Sequence, residues 1–430
     1  MSTNRLILFA GTAIAVVSLF VSCNDQEKIP DEGNPQEPNT EVVLKDGEVR
    51  EHDFTRLDPV PLDVDISQEE AELFLRSDSF AIKMFNAICE SKADENFCIS
   101  PLSLQVLMSI LSNGVSDGAY IELSQAMFGE TVDIDLLNSS YGKLKNALER
   151  TNCVKLANAM WLQTGRTIYS TYSNLVQQYY NCETGYLDFR SDTQASLDSI
   201  CQWAYENTYG KQKKLDLENF GTTTSMVLAN TAWFASAWYK AFDKSETYTG
   251  EFTMANGQTQ DVDMMKVTRA EFCLFKNPEG DYKIVSLPFK DKSFWMDIVV
   301  PNENVDLDSI IPYVDWFVNI DQLETRVNLT MPKFRISTDI KLRPILESLG
   351  ASAPFQSLPK IASMLFADYI NQTANIIVSE EGVEASAASV ARLTYSIPYE
   401  MIIDRPFAYA IRDSAAGTLL FMGRVNKIDQ

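Results

Sequence analysis

The spacing of apolar positions divides the chain into three stretches. Leu6 to Val21 is an almost unbroken apolar run that ends at Ser22-Cys23, and residues from Asn24 to about Ile66 show no hydrophobic period. From about Gln68 the spacing becomes helical. Glu72-Leu73-Phe74-Leu75 and Phe80-Ala81-Ile82-Lys83-Met84-Phe85 set apolar side chains three and four apart. Phe97-Cys98-Ile99 reads as a short buried strand, and Ser100-Pro101 opens a helix with Ser at the cap and Pro in the first turn. That helix, Leu102 to Leu111, is apolar nearly all round and belongs in the centre of a core. A third helix, Ile121 to Phe128, stops at Gly129.

Farther along, Val154 to Leu162 predicts a strand, and Tyr172 to Tyr180 and Ser196 to Thr208 predict helices. Val227 to Trp233 predicts a strand covered on both faces. Short strands then dominate: Thr249–Met254, Asp261–Met265, Phe272–Phe275, Lys283–Pro288, Phe294–Val300 and Arg326–Pro332. A helix at Lys341–Leu349 interrupts them, and Ile376–Val378, Met401–Ile403, Phe407–Ile411 and Thr418–Val425 complete the set. Helices first and strands later, without βαβ alternation, predict an α+β fold with largely antiparallel sheets.

Composition and charge add the setting. The 430 residues are 45% hydrophobic, enough for a sizeable core, and length alone would allow two or three domains. The formal charge is −23, so the chain has no electrostatic route to nucleic acid or to an anionic membrane surface. Arg5 before the apolar run gives residues 1–22 the form of an export signal, too short and too interrupted for a comfortable membrane span. Ser22 directly before Cys23 resembles a bacterial lipoprotein cleavage box, with Phe20 where Leu is usual. The expectation is lipid on Cys23, with simple secretion as the alternative. Residues 23–66 hold 13 acids and 4 bases among several prolines and predict a tether. The folded domain is then 67–430, exported and either lipid-anchored at the cell envelope or surface or extracellular. A monomer is expected, meeting the membrane only through its lipid.

Much chemistry is disfavoured. The single histidine, His52, lies in the acidic tether, so the folded part lacks the general base of a Ser-His-Asp or Cys-His pair and lacks histidine-based zinc sites. No phosphate loop or dinucleotide fingerprint occurs, and no cofactor or metal is expected. Six cysteines remain beside Cys23, none in a close pair, and Cys98 and Cys201 read as buried free thiols.

One segment is odd on physical grounds. After Ile376-Ile377-Val378 come Ser379, Glu380, Glu381, Gly382, Val383, Glu384, Ala385, Ser386, Ala387, Ala388 and Ser389. Val383, Ala385, Ala387 and Ser389 alternate, and all are small or β-branched. On a strand they would share one face small enough to slot between existing strands, because close-packed interiors resist anything larger. A small-residue loop or an Ala-rich helix is the competing reading.

That stretch resembles the reactive-centre-loop hinge of the serpins. The likeness extends over roughly 360 residues, through Phe97-Cys98-Ile99-Ser100-Pro101-Leu102-Ser103, Asn230-Thr231-Ala232-Trp233-Phe234 with Trp238 and Phe242, and Thr330-Met331-Pro332-Lys333-Phe334. Leu342 to Gly350, Asp404-Arg405-Pro406-Phe407 and Phe421-Met422-Gly423-Arg424-Val425 continue it in the family's order. The resemblance implies one domain of three mostly antiparallel sheets and eight or nine helices, with an exposed loop as bait. It implies no enzyme, but a suicide substrate for serine, and by extension cysteine, endopeptidases. The protease forms an acyl-enzyme on the loop, and the cut hinge then inserts into the central sheet.

The resemblance also carries the site. Hinge residues run from Glu380 to Ser389, and Ser100, Ser103, Asn230, Trp238 and Gln372 fall at the family's shutter and breach. Gln372 stands where the family has a histidine, and Val383 where it has Thr or Ser. Aligning back from Pro406-Phe407 puts the scissile bond at Tyr395–Ser396, which suits a chymotrypsin-like pocket. Counting from Glu380 puts it at Ser396–Ile397, which suits an elastase-like one. A serpin fold that binds without inhibiting, and a surface glycan-binding lipoprotein, are the alternative functions.

Overall fold

The computed structural model describes residues 59–208, 220–318, 324–367, 369–380 and 397–429, together with the backbone of 12–23. Hydrogen bonding arranges the strands in two ladders. The first has six strands: β4 (Glu183–Leu187), β3 (Val154–Gln163), β5 (Thr224–Ser236), β1 (Thr12–Cys23), β12 (Tyr369–Val378) and β11 (Phe334–Lys341). Only β3 and β4 run parallel in it.

The second ladder has nine strands. Its order is β13 (Tyr399–Ile402), β10 (Glu324–Pro332), β7 (Thr259–Lys276), β8 (Tyr282–Pro288), β9 (Phe294–Pro301), β14 (Phe407–Asp413), β15 (Leu419–Val425) and β2 (Phe97–Ile99), with β6 (Tyr248–Thr253) also on β7. The 18-residue β7 divides it. Its first part pairs with β6, most of its length with β10, and its last four residues with β8. The two halves so joined, with the six-stranded ladder, make up the three sheets expected from the resemblance.

Eight α-helices lie among the described residues, and the expected central one is α2 (Pro101–Ser112). All twelve of its residues are buried. Its cap is Ser100, whose hydroxyl accepts from Ser103 N–H. On β5, Phe234 lies 5.0 Å from Phe289, 5.2 Å from Phe294 and 6.3 Å from Phe421, ring centre to ring centre, and so ties the two ladders together. The other face of β5 packs Val227 and Ala229 into a smaller cluster with Phe189, Leu197, Ile200 and Phe220 beneath α6 (Thr193–Asn207). Burial on both faces is what its unbroken apolar sequence predicts.

Several elements differ from expectation, each for a local reason. The separate strands expected at 261–265 and 272–275 are one strand, β7. A register shift opposite Val327–Leu329 interrupts the alternation there, and Arg269 takes φ 51° with its N–H donating to Asn328 Oδ1. The helix expected from Lys341 begins at Arg343, because Leu342 N–H still bonds Ile370 O at the end of the sheet. Helix α4 (Ile134–Arg150) and strands β4 and β11 lie where the sequence pattern predicts no element.

Near the N-terminus, two stretches have structure that the sequence reading does not foresee. Val60 N–H donates to Thr151 O and Leu62 N–H to Ser293 Oγ, so the last residues of the expected tether lie on the body. The run expected to be an export signal contributes β1, in the middle of the six-stranded ladder.

All six cysteines after Cys23 are buried free thiols. Burial pushes Cys89 and Cys98 up to about 12 and Cys153 up to about 11, which keeps them as unreactive thiols.

Candidate functional site

The sequence-predicted residues gather at two places on the six-stranded ladder. The first lies under its centre. Ser100 N–H donates to Gln372 Oε1 at 2.9 Å, and Gln372 Nε2 donates to Ser100 O at 3.0 Å. The Ser100 hydroxyl donates to Leu420 O at 2.7 Å. Ser103 Oγ bonds Asn230 Oδ1, Asn230 Nδ2 donates to Asn158 Oδ1 at 2.7 Å, and Asn158 Nδ2 donates to Tyr180 O at 3.0 Å. All these side chains are buried. Each amide uses its donor and its acceptor, so the chain couples α2 to β12, β15, β5, β3 and α5 (Ser170–Tyr180). Gln372 accepts from Ser100 N–H and donates to Ser100 O, so its amide bonds that residue's backbone in both directions.

The second place is where β12 ends. Trp238 stacks on Phe289 at 4.7 Å and 11°, and its Nε1–H donates to Ser379 O at 2.9 Å. The carboxylate of Glu380 is buried; it accepts from Thr247 Oγ1 at 2.7 Å and faces Lys333 Nζ at 3.3 Å. Burial alone would raise its pKa, but the Thr247 hydroxyl and the Lys333 ammonium together hold it below the usual carboxylate range. Lys333 also meets Asp263 Oδ2 at 3.0 Å. Burial works against the Lys333 ammonium, and its two carboxylate partners raise its pKa nonetheless.

The predicted hinge residues Glu381 to Ser389 and the candidate bond partners Tyr395 and Ser396 lie outside the described residues. Their neighbours do not. Val378 is the last residue of β12, and Tyr399 opens β13, which pairs in parallel with β10 in the other ladder. The intervening segment therefore passes from one ladder to the other. Ile397, on its far side, is 96% exposed.

Sequence reasoning missed Asn158, Tyr180 and Thr247. An Asn inside the apolar strand Val154–Leu162 was a usable signal, since a buried amide needs partners. Thr247 precedes its strand and carries no signal.

β12 and β5 are not neighbours in the ladder. Between them lies a full strand position, which β1 occupies antiparallel to both. Ala13 to Val21 pair with Ile377 to Tyr369 on one side and with Ala235 to Val227 on the other. Ser18 stands in register between Asn230 and Gln372, directly above the buried amide chain.

With this architecture in view, comparison with known proteins places the chain. The family model for serpins, the serine protease inhibitors, matches residues 76–428, and the chain belongs to that family. The family is described as one of serine protease inhibitors and not of enzymes. Glia-derived nexin of Mus musculus is 29% identical over 367 residues, 80% of this chain and 91% of that protein. Iripin-2 of Ixodes ricinus is 27% identical, covering 84% and 95%. An uncharacterized serpin-like protein of Methanosarcina acetivorans is 28% identical, covering 84% and 87%. Among solved structures, native Arabidopsis AtSerpin1 in its stressed conformation superposes with TM-score 0.74 at 21% identity, covering 84% of this chain and 99% of that one. Native protease nexin-1 with heparin superposes with TM-score 0.71 at 24% identity, covering 83% and 100%. These structures share the fold.

Proposed function

We propose that this serpin is an inhibitory member whose segment from Glu380 to Pro398 is bait for chymotrypsin-like or elastase-like endopeptidases. One observation carries the reading. The six-stranded ladder has a strand position between β5 and β12, and the bait segment begins at the edge of β12 that borders it. The protease serine attacks the carbonyl of Tyr395, the amine of Ser396 leaves, and the acyl group stays on the protease. Ser396–Ile397 is the second choice of bond. The cut hinge then folds back beside β12, with Val383, Ala385, Ala387 and Ser389 as the small face. Insertion replaces hydrogen bonds to water with ladder bonds on both sides, which gives the step its direction. Export and lipidation at Cys23 would hold this trap at a cell envelope or surface.

The test is incubation of the chain beginning at Cys23 with chymotrypsin and with elastase. An adduct that survives SDS, and a released C-terminal peptide starting at Ser396, are expected. Clean cleavage with no adduct would leave a serpin fold that binds without inhibiting, and retention on a glycan array would favour the carbohydrate-binding reading.

A further inference from the structure

We infer that residues 12–23 are an internal ligand of the six-stranded ladder, which keeps the unprocessed chain from inhibiting until residues 1–22 are removed. The inference rests on the inhibitory reading above for its consequence, but its structural part stands alone. Strand β1 extends beside nearly the whole of β12 and of β5, with one irregularity, between Ser22 and Cys23. A returning hinge would have to take the same backbone donors and acceptors on Ile370 to Ile377 that β1 already holds. Two strands cannot share one ladder position, so the contest is all or none.

The sequence of the segment fits the place. Thr-Ala-Ile-Ala-Val-Val-Ser-Leu-Phe-Val-Ser-Cys carries no charge, no proline and no glycine, and it is rich in β-branched residues. Any charge in the middle of this ladder would be desolvated. The polarity of the strand also matters. Its Thr12 end lies opposite Ser236, two residues from Trp238, so β1 closes the ladder at the corner where Ser379 and Glu380 leave it. Its other end is Cys23, the residue at which processing is expected. Cleavage there would cut the strand from the body and remove the tether that keeps it at high effective concentration beside the slot. The family match begins only at residue 76, so the chain from Cys23 retains the whole of the matched fold.

Three forms test this: the full chain, the full chain with Val17→Pro, and the chain beginning at Cys23. Proline at 17 removes a central ladder bond from β1 without touching the body. Loop entry scales with the fraction of molecules whose slot is open, so the full chain should form the chymotrypsin adduct at least about tenfold more slowly than the other two. Hydrogen exchange should show the amides of β5 and β12 protected in the full chain and less protected in both other forms. A synthetic peptide of residues 12–23, added to the chain from Cys23, should restore that protection and slow the adduct. Equal adduct rates in all three forms, or equal exchange in β5 and β12, would overturn the inference. Should none form an adduct while the exchange differences hold, β1 is still the ligand of the slot and only the inhibitory reading fails.

Discussion

The indole Nε1–H of Trp238 donates to the carbonyl of Ser379 at 2.9 Å, one residue beyond the end of β12. That bond fixes where the chain leaves the six-stranded ladder. The ring is itself held by stacking on Phe289, so the donor is aimed before Ser379 arrives. Glu380, the next residue, is clasped by Thr247 and Lys333. The exit from β12 is therefore a fixed corner.

Trp238→Phe keeps an aromatic ring on Phe289 and deletes the donor. The Ser379 carbonyl would regain water, because the corner is only partly buried. The expected loss is at least about 1 kcal/mol of unfolding free energy, the usual net value of one hydrogen bond, to which the smaller ring at this buried site adds. Urea unfolding would show it as a lower midpoint with unchanged slope. A midpoint equal to that of the parent would mean that the bond does not hold the corner.

Asn230→Ala breaks the buried chain under the ladder at its middle. Ser103 loses its amide partner and Asn158 Oδ1 loses its donor, both in a site closed to water. The Asn158 carbonyl left without its donor costs on the order of 1–3 kcal/mol, well above the surface-mutation range. Adding Asn158→Ala should cost less than the sum of the two single changes, since the second removes a group already orphaned. Strict additivity in thermal unfolding would show that the amides do not act as a chain.

The sequence disclosed some levels of this structure better than others. Strands covered on both faces, such as β5, and the all-apolar α2 announce themselves, because burial of every side chain leaves no polar phase to misread. β11 was legible in principle: Phe334, Ile336, Thr338 and Ile340 are buried and alternate with exposed Arg335, Ser337, Asp339 and Lys341. Its polar half hides the strand from a search for apolar runs. The pairing of β1 was not legible. Leu6 to Val21 satisfies the rules for an export signal and for a buried strand equally well, and only the vacancy between two distant strands distinguishes them. The Ser100–Gln372 pair came from resemblance, and its two-way bonding from geometry alone.

Val383→Arg tests the trap itself. A strand entering the ladder beside β12 must desolvate its first inserting side chain, and burying a guanidinium costs far more than burying a valine. The variant should still be cut near Tyr395 but should release the protease, turning an inhibitor into a substrate. The measurement is the ratio of cleaved chain to SDS-stable adduct at equal protease. An unchanged ratio would show that entry of this residue is not part of the mechanism.

The last prediction concerns pH and a carboxyl far from the loop. Asp78, on α1 (Gln68–Ser91), is buried; its Oδ1 accepts from Gln105 Nε2 and its Oδ2 from Leu419 N–H, each at 3.2 Å. Burial pushes its pKa from 3.8 up to about 8; the two hydrogen bonds oppose the rise and the nearby Asp413 adds to it. Asp413 is raised by burial in the same way, despite accepting from Ala415, Ala416 and Thr418 N–H. In the unfolded chain Asp78 releases its proton near 3.8, whereas the folded chain keeps it to about 8. The native state thus binds more protons across that window, and the stability owed to this site is fully present below it and lost as pH rises through it. Asp78→Asn supplies a neutral group of the same shape and cannot titrate. The difference in melting temperature, parent minus variant, should therefore fall steadily between pH 4 and 8. Subtraction removes the contribution of the titrating groups that do not interact with Asp78; Asp413, which does, is the exception. A difference that stays flat across the window would mean that Asp78 is ionised in the folded chain and that its two donors outweigh its burial.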